Sequence, residues 1–147
     1  QDYSRYIGAL SPMGGEFAIR QLRSGRVHGG CTFTSASNGF FQSLAADGAK
    51  AAMHEIQRRC YLDEGSALYG SRLVLFLHDE FILEVPDTGV EGPHAAAQEL
   101  LDVMVAKMRL FIPDVPVRAE PTLMRRWAKE AEPVYDKKGR LIPWEPS

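Results

Sequence analysis

Two cysteines, Cys31 and Cys60, are all this 147-residue chain contains. They stand too far apart for a CxxC zinc pair and are too few for a disulfide framework, so the thiols are expected free, as in a reducing cytosol. Long apolar runs are missing too, so neither a bilayer span nor a secretory leader is expected within these residues. Charge of one sign is lacking: 17 Lys and Arg against 19 Asp and Glu give a net charge of −2. No global basic field announces a nucleic-acid partner, although phosphate contacts need only a local basic face. Repeats and low-complexity tracts are absent. What remains is ordinary for one soluble globular domain, with 45% hydrophobic and 24% charged residues and length enough for a core.

The most informative stretch is 73–86, LVLFLHDEFILEVP. Two β-prone apolar runs, 73–77 and 81–85, flank His78, Asp79 and Glu80. The join is too short for a helical crossover, so the runs are expected to pair as an antiparallel hairpin. Its tip lacks the Asn-Gly or Asp-Gly chemistry that two-residue turns favour. Acids at a turn are ordinarily just solvated, and a lone histidine is ordinarily a packed or surface residue. Strand anchoring would nevertheless hold a carboxylate rigidly where a metal or substrate can approach.

Around this hairpin the chain reads as follows. Residues 1–15 carry breaks at Gly8, Gly14 and Gly15 and no sustained period, and are taken as a lead-in. Residues 16–33 alternate and turn at Ser24 and Gly25, predicting a short hairpin that carries Arg20, Arg23, Arg26 and His28. That basic edge suits phosphate; charge on an edge strand also serves simply to block edge pairing. Residues 34–61 predict the longest helix, capped by Ser35 or Ser37, with Phe41, Leu44, Ala45, Ala49, Ala52, Met53 and Ile56 on its apolar face. Asn38 and Gln42, four apart, share a face. Two neighbouring amides can donate to the N3 and O2 acceptors that every base pair presents in the minor groove, a sequence-independent duplex contact. Asp47 and Lys50, three apart, are expected to form a minor surface ion pair.

After a Gly-containing connection and the hairpin, 87–93 reads as a loop and 95–111 as a second amphipathic helix ended by Pro113. Residues 115–119 predict a short strand on the hairpin's sheet, and 121–130 a helical turn bearing Arg125, Arg126, Trp127 and Lys129. The proline-containing tail, 133–147, is expected to wrap the surface, anchored by Tyr135, Leu141 or Trp144. The expected class is therefore α+β, an antiparallel sheet packed on helices.

The helix with Asn38, Gln42, Ala45, Ala46, Asp47 and Lys50, followed by a hairpin carrying Leu77-His78-Asp79-Glu80, resembles the C-terminal palm of family A DNA polymerases. Ser24-Gly25-Arg26 fits the Gly-Arg segment preceding that family's palm helix, and Val117 to Glu120 through Trp127 is similar to its closing strand and tryptophan. The likeness covers 16–130 as a palm-like domain, with 1–15 as lead-in and 131–147 as tail. One departure is Ser43, where the family commonly has Gly, and it is expected to matter little.

The resemblance implies a nucleotidyltransferase part, phage-like and working in the cytoplasm of a bacterial or phage-infected cell. Asp79 would ligate Mg²⁺ in a two-metal site, with Glu80 beside it as a lesser catalytic carboxylate. Neighbours in a strand point to opposite faces, so both could ligate one ion only at a bent tip. His78 would touch the primer end, and Asn38, Gln42, Arg26 and Arg23 would contact primer–template DNA, with dNTP as the other substrate. The second principal carboxylate belongs to a D-Y-S-x-(I/L)-E-L motif, of which Asp2-Tyr3-Ser4 shares only three letters. A companion chain or an N-terminal region is therefore expected to bring it. Two other functions remain open at this point: a non-catalytic DNA-binding remnant, and a one-metal phosphoesterase using His78 and Asp79.

Overall fold

Thr32 starts the longest element. Its Oγ1 accepts the backbone N–H of Ser35 at 3.2 Å, and its carbonyl accepts the N–H of Ala36 at 2.8 Å. The cap is thus Thr32 rather than Ser35 or Ser37, since the cap is the residue whose side chain reaches the third helical N–H. The helix, α1, runs Phe33–Leu62. The computed structural model describes residues 7–13 and 16–146. In chain order it has β1 (Ile7–Met13), β2 (Glu16–Gln21), β3 (Val27–Cys31), α1, β4 (Arg72–Leu77), β5 (Glu80–Glu84), α2 (Glu91–Arg109), β6 (Val134–Tyr135) and β7 (Leu141–Ile142). The class is α+β, and all strand pairing within the sheets is antiparallel.

The chain divides into two units, Gln1–Ala51 with Lys107–Pro116, and Ala52–Ala106 with Val117–Ser147. In the first, β1, β2 and β3 form a three-stranded sheet in sequence order. The expected β2–β3 hairpin is present, turning through Gly25 at φ 71°. The lead-in shows no strand period, yet Ile7–Met13 pairs with β2; the register shift between Gly8 and Ser11 breaks the alternation that would have revealed it. Asp2, Tyr3 and Ser4 lie outside the described residues. In this unit α1 buries Ala36, Ser43, Leu44, Asp47 and Gly48, whereas Phe41 and Ala45 lie exposed. A Cβ on Gly39 would meet Ile19 Cδ1 at 2.9 Å, and one on Gly48 would meet Met108 Sδ at 2.5 Å. Glycine here allows close approach, which outweighs its poor helix propensity.

In the second unit, Ala52, Ile56, Cys60, Leu68, Ala96 and Val103 form the core. The β4–β5 hairpin lies over it through Leu73, Phe81 and Leu83. A bulge between Leu73 and Leu75 breaks the period-two pattern, so Leu73 and Phe76 are the half-buried residues of β4 while Val74, Leu75 and Leu77 are exposed.

Three local expectations fail. Residues 115–119 form no strand, because Pro116 in their middle removes a ladder N–H. Residues 121–130 form no helix: the Leu123 carbonyl accepts the Trp144 N–H at 2.8 Å, and Met124 bridges to Trp144. Finally, α2 begins at Glu91, inside the expected loop, with Pro93 in its first turn where no intrahelical N–H is required. The tail forms a hairpin, β6–β7, and Leu141 is its fully buried residue while Tyr135 stays half exposed.

Candidate functional site

The candidate residues fall into two groups, one in each unit. In the second, register pairs Leu77 with Glu80, leaving His78 and Asp79 as the central residues of a two-residue turn. His78 has φ 57°, the one non-glycine residue in the left-handed region among the described residues. A two-residue hairpin needs a positive φ at its first central position, usually met by glycine. Here histidine, which tolerates that region better than most residues, meets it. Asp79 therefore sits in the bend and Glu80 opens β5, so the tip is bent at the carboxylates. All three side chains are exposed, and none makes a hydrogen bond or ion pair among the described residues. Behind them the rings of Phe76 and Phe81 stack, centroids 4.7 Å apart at 27°, and Phe81 reaches the core. The tip is polar and free; its base is packed.

In the first unit, a groove of about 490 Å³ is lined by Arg26 and His28 from the β2–β3 hairpin and by Ser35, Asn38, Gln42 and Ser43 from α1. The expected face of Asn38 and Gln42 is present, with both side chains exposed. Asn38, Gln42 and Arg26 thus share one groove, and Arg23 is not among its lining residues. Arg26 Nη2 donates to the Ser43 carbonyl at 2.9 Å and pairs with Asp47 Oδ1 at 2.7 Å. Ser24 Oγ donates to Asp47 Oδ2 at 2.6 Å. Asp47 is therefore no surface partner of Lys50: it lies on the buried face and ties the β2–β3 turn to the helix. Arg23 Nη1 donates to the Leu110 carbonyl at 2.8 Å. Ser43 is buried, and its Oγ lies 3.2 Å from His28 Nε2. The hydroxyl at this position is thus in use, contrary to the expectation that it would matter little.

The sequence reading missed a second carboxylate, Glu99 on α2. It accepts from Arg59 Nη1 at 2.5 Å, Ser66 Oγ at 2.7 Å and the Ala67 N–H at 2.6 Å. Partial burial pushes its pKa up, but these three donors more than offset that and hold it below the ordinary glutamate value. Glu99 fixes the connection between α1 and β4, where Leu68 is fully buried. The Glu55–Arg59 pair beside it follows helical i,i+4 spacing and is legible in sequence; the reach to Glu99, 40 positions away, is not. Burial pushes the Cys60 thiol up, with a smaller push from Glu99, so it is a packed thiol rather than a reactive one.

A divalent ion at a polymerase site takes one or two carboxylates, waters and substrate phosphates. The exposed, unpaired Asp79 fits as one such ligand. No group of three His, Cys, Asp or Glu side chains able to hold a metal occurs among the described residues. No described helix is long and apolar enough to cross a membrane.

The family model described as DNA polymerase family A matches residues 14–129. No curated protein and no solved structure matches the chain.

Proposed function

Because the chain belongs to DNA polymerase family A, we propose that it is the C-terminal palm part of a DNA-directed DNA polymerase. It would contribute one metal-binding carboxylate and the primer–template contacts, and a companion chain or N-terminal region would complete the site. The observation that carries this reading is the pairing of the family match with a free carboxylate, Asp79, at the bent tip of a hairpin anchored by Phe81. When bound, Mg²⁺ would supply charge neutralisation and an activated 3′-hydroxyl for nucleotidyl transfer.

The chain's own residues would do the rest. Asp79 offers its carboxylate without an internal cation to displace. Glu80, one position on and already in β5, takes a positioning part. His78 presents its imidazole beside Asp79, in reach of a primer end. Asn38 and Gln42 donate to minor-groove acceptors from an exposed helix face, where base identity is not read. Arg26, from the same groove, and Arg23, outside it, would meet phosphates. Arg26 already holds Asp47 and Ser43, and Arg23 the Leu110 carbonyl. Arg26 keeps the β2–β3 hairpin beside α1, with its Nε buried, whereas Arg23 ties the hairpin to the chain just after α2; only the guanidinium atoms left exposed would meet phosphate.

The partial donor set favours one second reading, a DNA-binding module without catalysis. Primer extension with Mg²⁺ and all four dNTPs, run beside a binding assay on the same primed template, separates the two. The palm part binds the template, fails to extend it alone, and extends it once the other polymerase region is added, unless Asp79 is changed to Asn. A chain that binds but is never rescued is the module. A folded chain that does not bind primed DNA at all overturns both.

A further inference from the structure

The segment after Met124 is held from one side and displayed on the other. The Trp144 N–H donates to the Leu123 carbonyl at 2.8 Å, and Arg125 grips Asp87 at 3.0 Å and Glu145 at 3.4 Å. Beyond these anchors, the Ala128 N–H lies 3.3 Å from Met124 Sδ, and the Ala131 N–H donates to the Ala128 carbonyl at 3.2 Å, closing a turn. Trp127 projects from this anchored loop with 59% of its surface exposed. An indole is among the largest apolar bodies a chain can bury, and such residues are enriched where a partner covers them. Arg126 and Lys129 flank it, both exposed and neither ion-paired among the described residues.

We infer that Arg126, Trp127 and Lys129 form a contact site for single-stranded DNA, in which the indole stacks on an unpaired base and the two cations meet the adjoining phosphates. An exposed ring has a face for any base, whereas bases inside a duplex offer only their edges. The ligand is therefore an unpaired strand, such as a template overhang, and not the duplex itself. Glu130 and Glu132 follow immediately and are exposed too. They keep the patch from being strongly basic, so stacking supplies more of the affinity than counterion release. With two cations engaged, log K falls with log salt at a slope of about −1.4 or shallower.

This inference rests on nucleic acid being the chain's substrate, and the test keeps the two apart. Binding of a labelled oligo(dT) 12-mer and of a blunt duplex is measured on the full chain and on its Trp127→Ala and Trp127→Phe variants. Tryptophan emission is recorded alongside, and unfolding midpoints serve as the fold control. The expected result is quenching by the single strand, a loss of its affinity by about 5- to 100-fold in Trp127→Ala, near-retention in Trp127→Phe, and unchanged duplex binding. Arg126→Gln with Lys129→Gln flattens the salt slope. Equal single-strand affinity in a folded Trp127→Ala variant overturns the inference, as does failure of the parent chain to bind the 12-mer while it still binds the blunt duplex. Loss of binding to both ligands in the parent chain sinks the polymerase reading as well.

Discussion

Arg26 and Asp47 meet at 2.7 Å, the guanidinium arriving from the end of a β-turn and the carboxylate from the buried face of a helix. The carboxylate's other oxygen is taken by Ser24, so one side chain holds two residues of the turn. Removing Asp47 leaves a half-buried cation without its partner. Asp47→Ala is expected to lower unfolding free energy by about 3 kcal/mol, because a stranded charge costs more than the pair contributes. Replacing both, Arg26→Met with Asp47→Leu, should lose markedly less. Urea unfolding of the parent chain and these two variants checks both statements.

Gly48 faces Met108 so closely that a methyl group would overlap its Sδ and approach its Cα to 3.3 Å. Alanine is the better helix former by about 1 kcal/mol, yet overpacking costs about 1–3 kcal/mol. Gly48→Ala should therefore be destabilising by about 1 kcal/mol. In a Met108→Ala background the same change should stabilise. A thermal double-mutant cycle reads the reversal.

His78 occupies a backbone region that costs a side chain with a branched β-carbon about 1–2 kcal/mol. His78→Val should destabilise the chain by about 1 kcal/mol, while His78→Gly should be close to neutral, its relief offset by added chain entropy. If the imidazole serves primer contact, His78→Gly nonetheless loses primed-template affinity. Denaturation and binding on the same samples separate backbone from side-chain effects.

Glu99 is held below the ordinary glutamate pKa by Ser66, Arg59 and the Ala67 N–H, against the upward pull of its burial. Its contribution to stability is complete above the unfolded carboxylate value, about 4.3, and is lost as pH falls through its folded value. Asp136, bound by Arg140, is lowered to about 2 and behaves the same way down to that pH. Melting temperature should thus fall as pH drops from about 5 to 2. Glu99→Gln should melt lower at neutral pH and show a shallower acid decline, which a pH series of thermal melts measures.

The candidate hairpin was legible because strand, turn and strand are contiguous: residues 73–85 carry their own pattern, and pairing needs no distant partner. The face of Asn38 and Gln42 was legible for the same reason, helical spacing alone placing them together. Ser43 and Asp47 were misread because each owes its role to a residue on another element, His28 or Arg26, and no local period announces that. Residues 121–130 show the reverse error, since a helical pattern yielded when the Leu123 carbonyl found the Trp144 N–H.

The sequence by itself determined the α+β class, the long helix, the HDE-tipped hairpin and the family, all of which depend on neighbours within a few residues along the chain. Tertiary structure alone decided that Asp47 is buried, that Glu99 pins the α1–β4 connection, and that Trp127 stays exposed on an anchored loop. The physical reason is range. Backbone geometry and hydrophobic period act locally, whereas a buried charge is settled by whichever distant donor folding brings within hydrogen-bond reach.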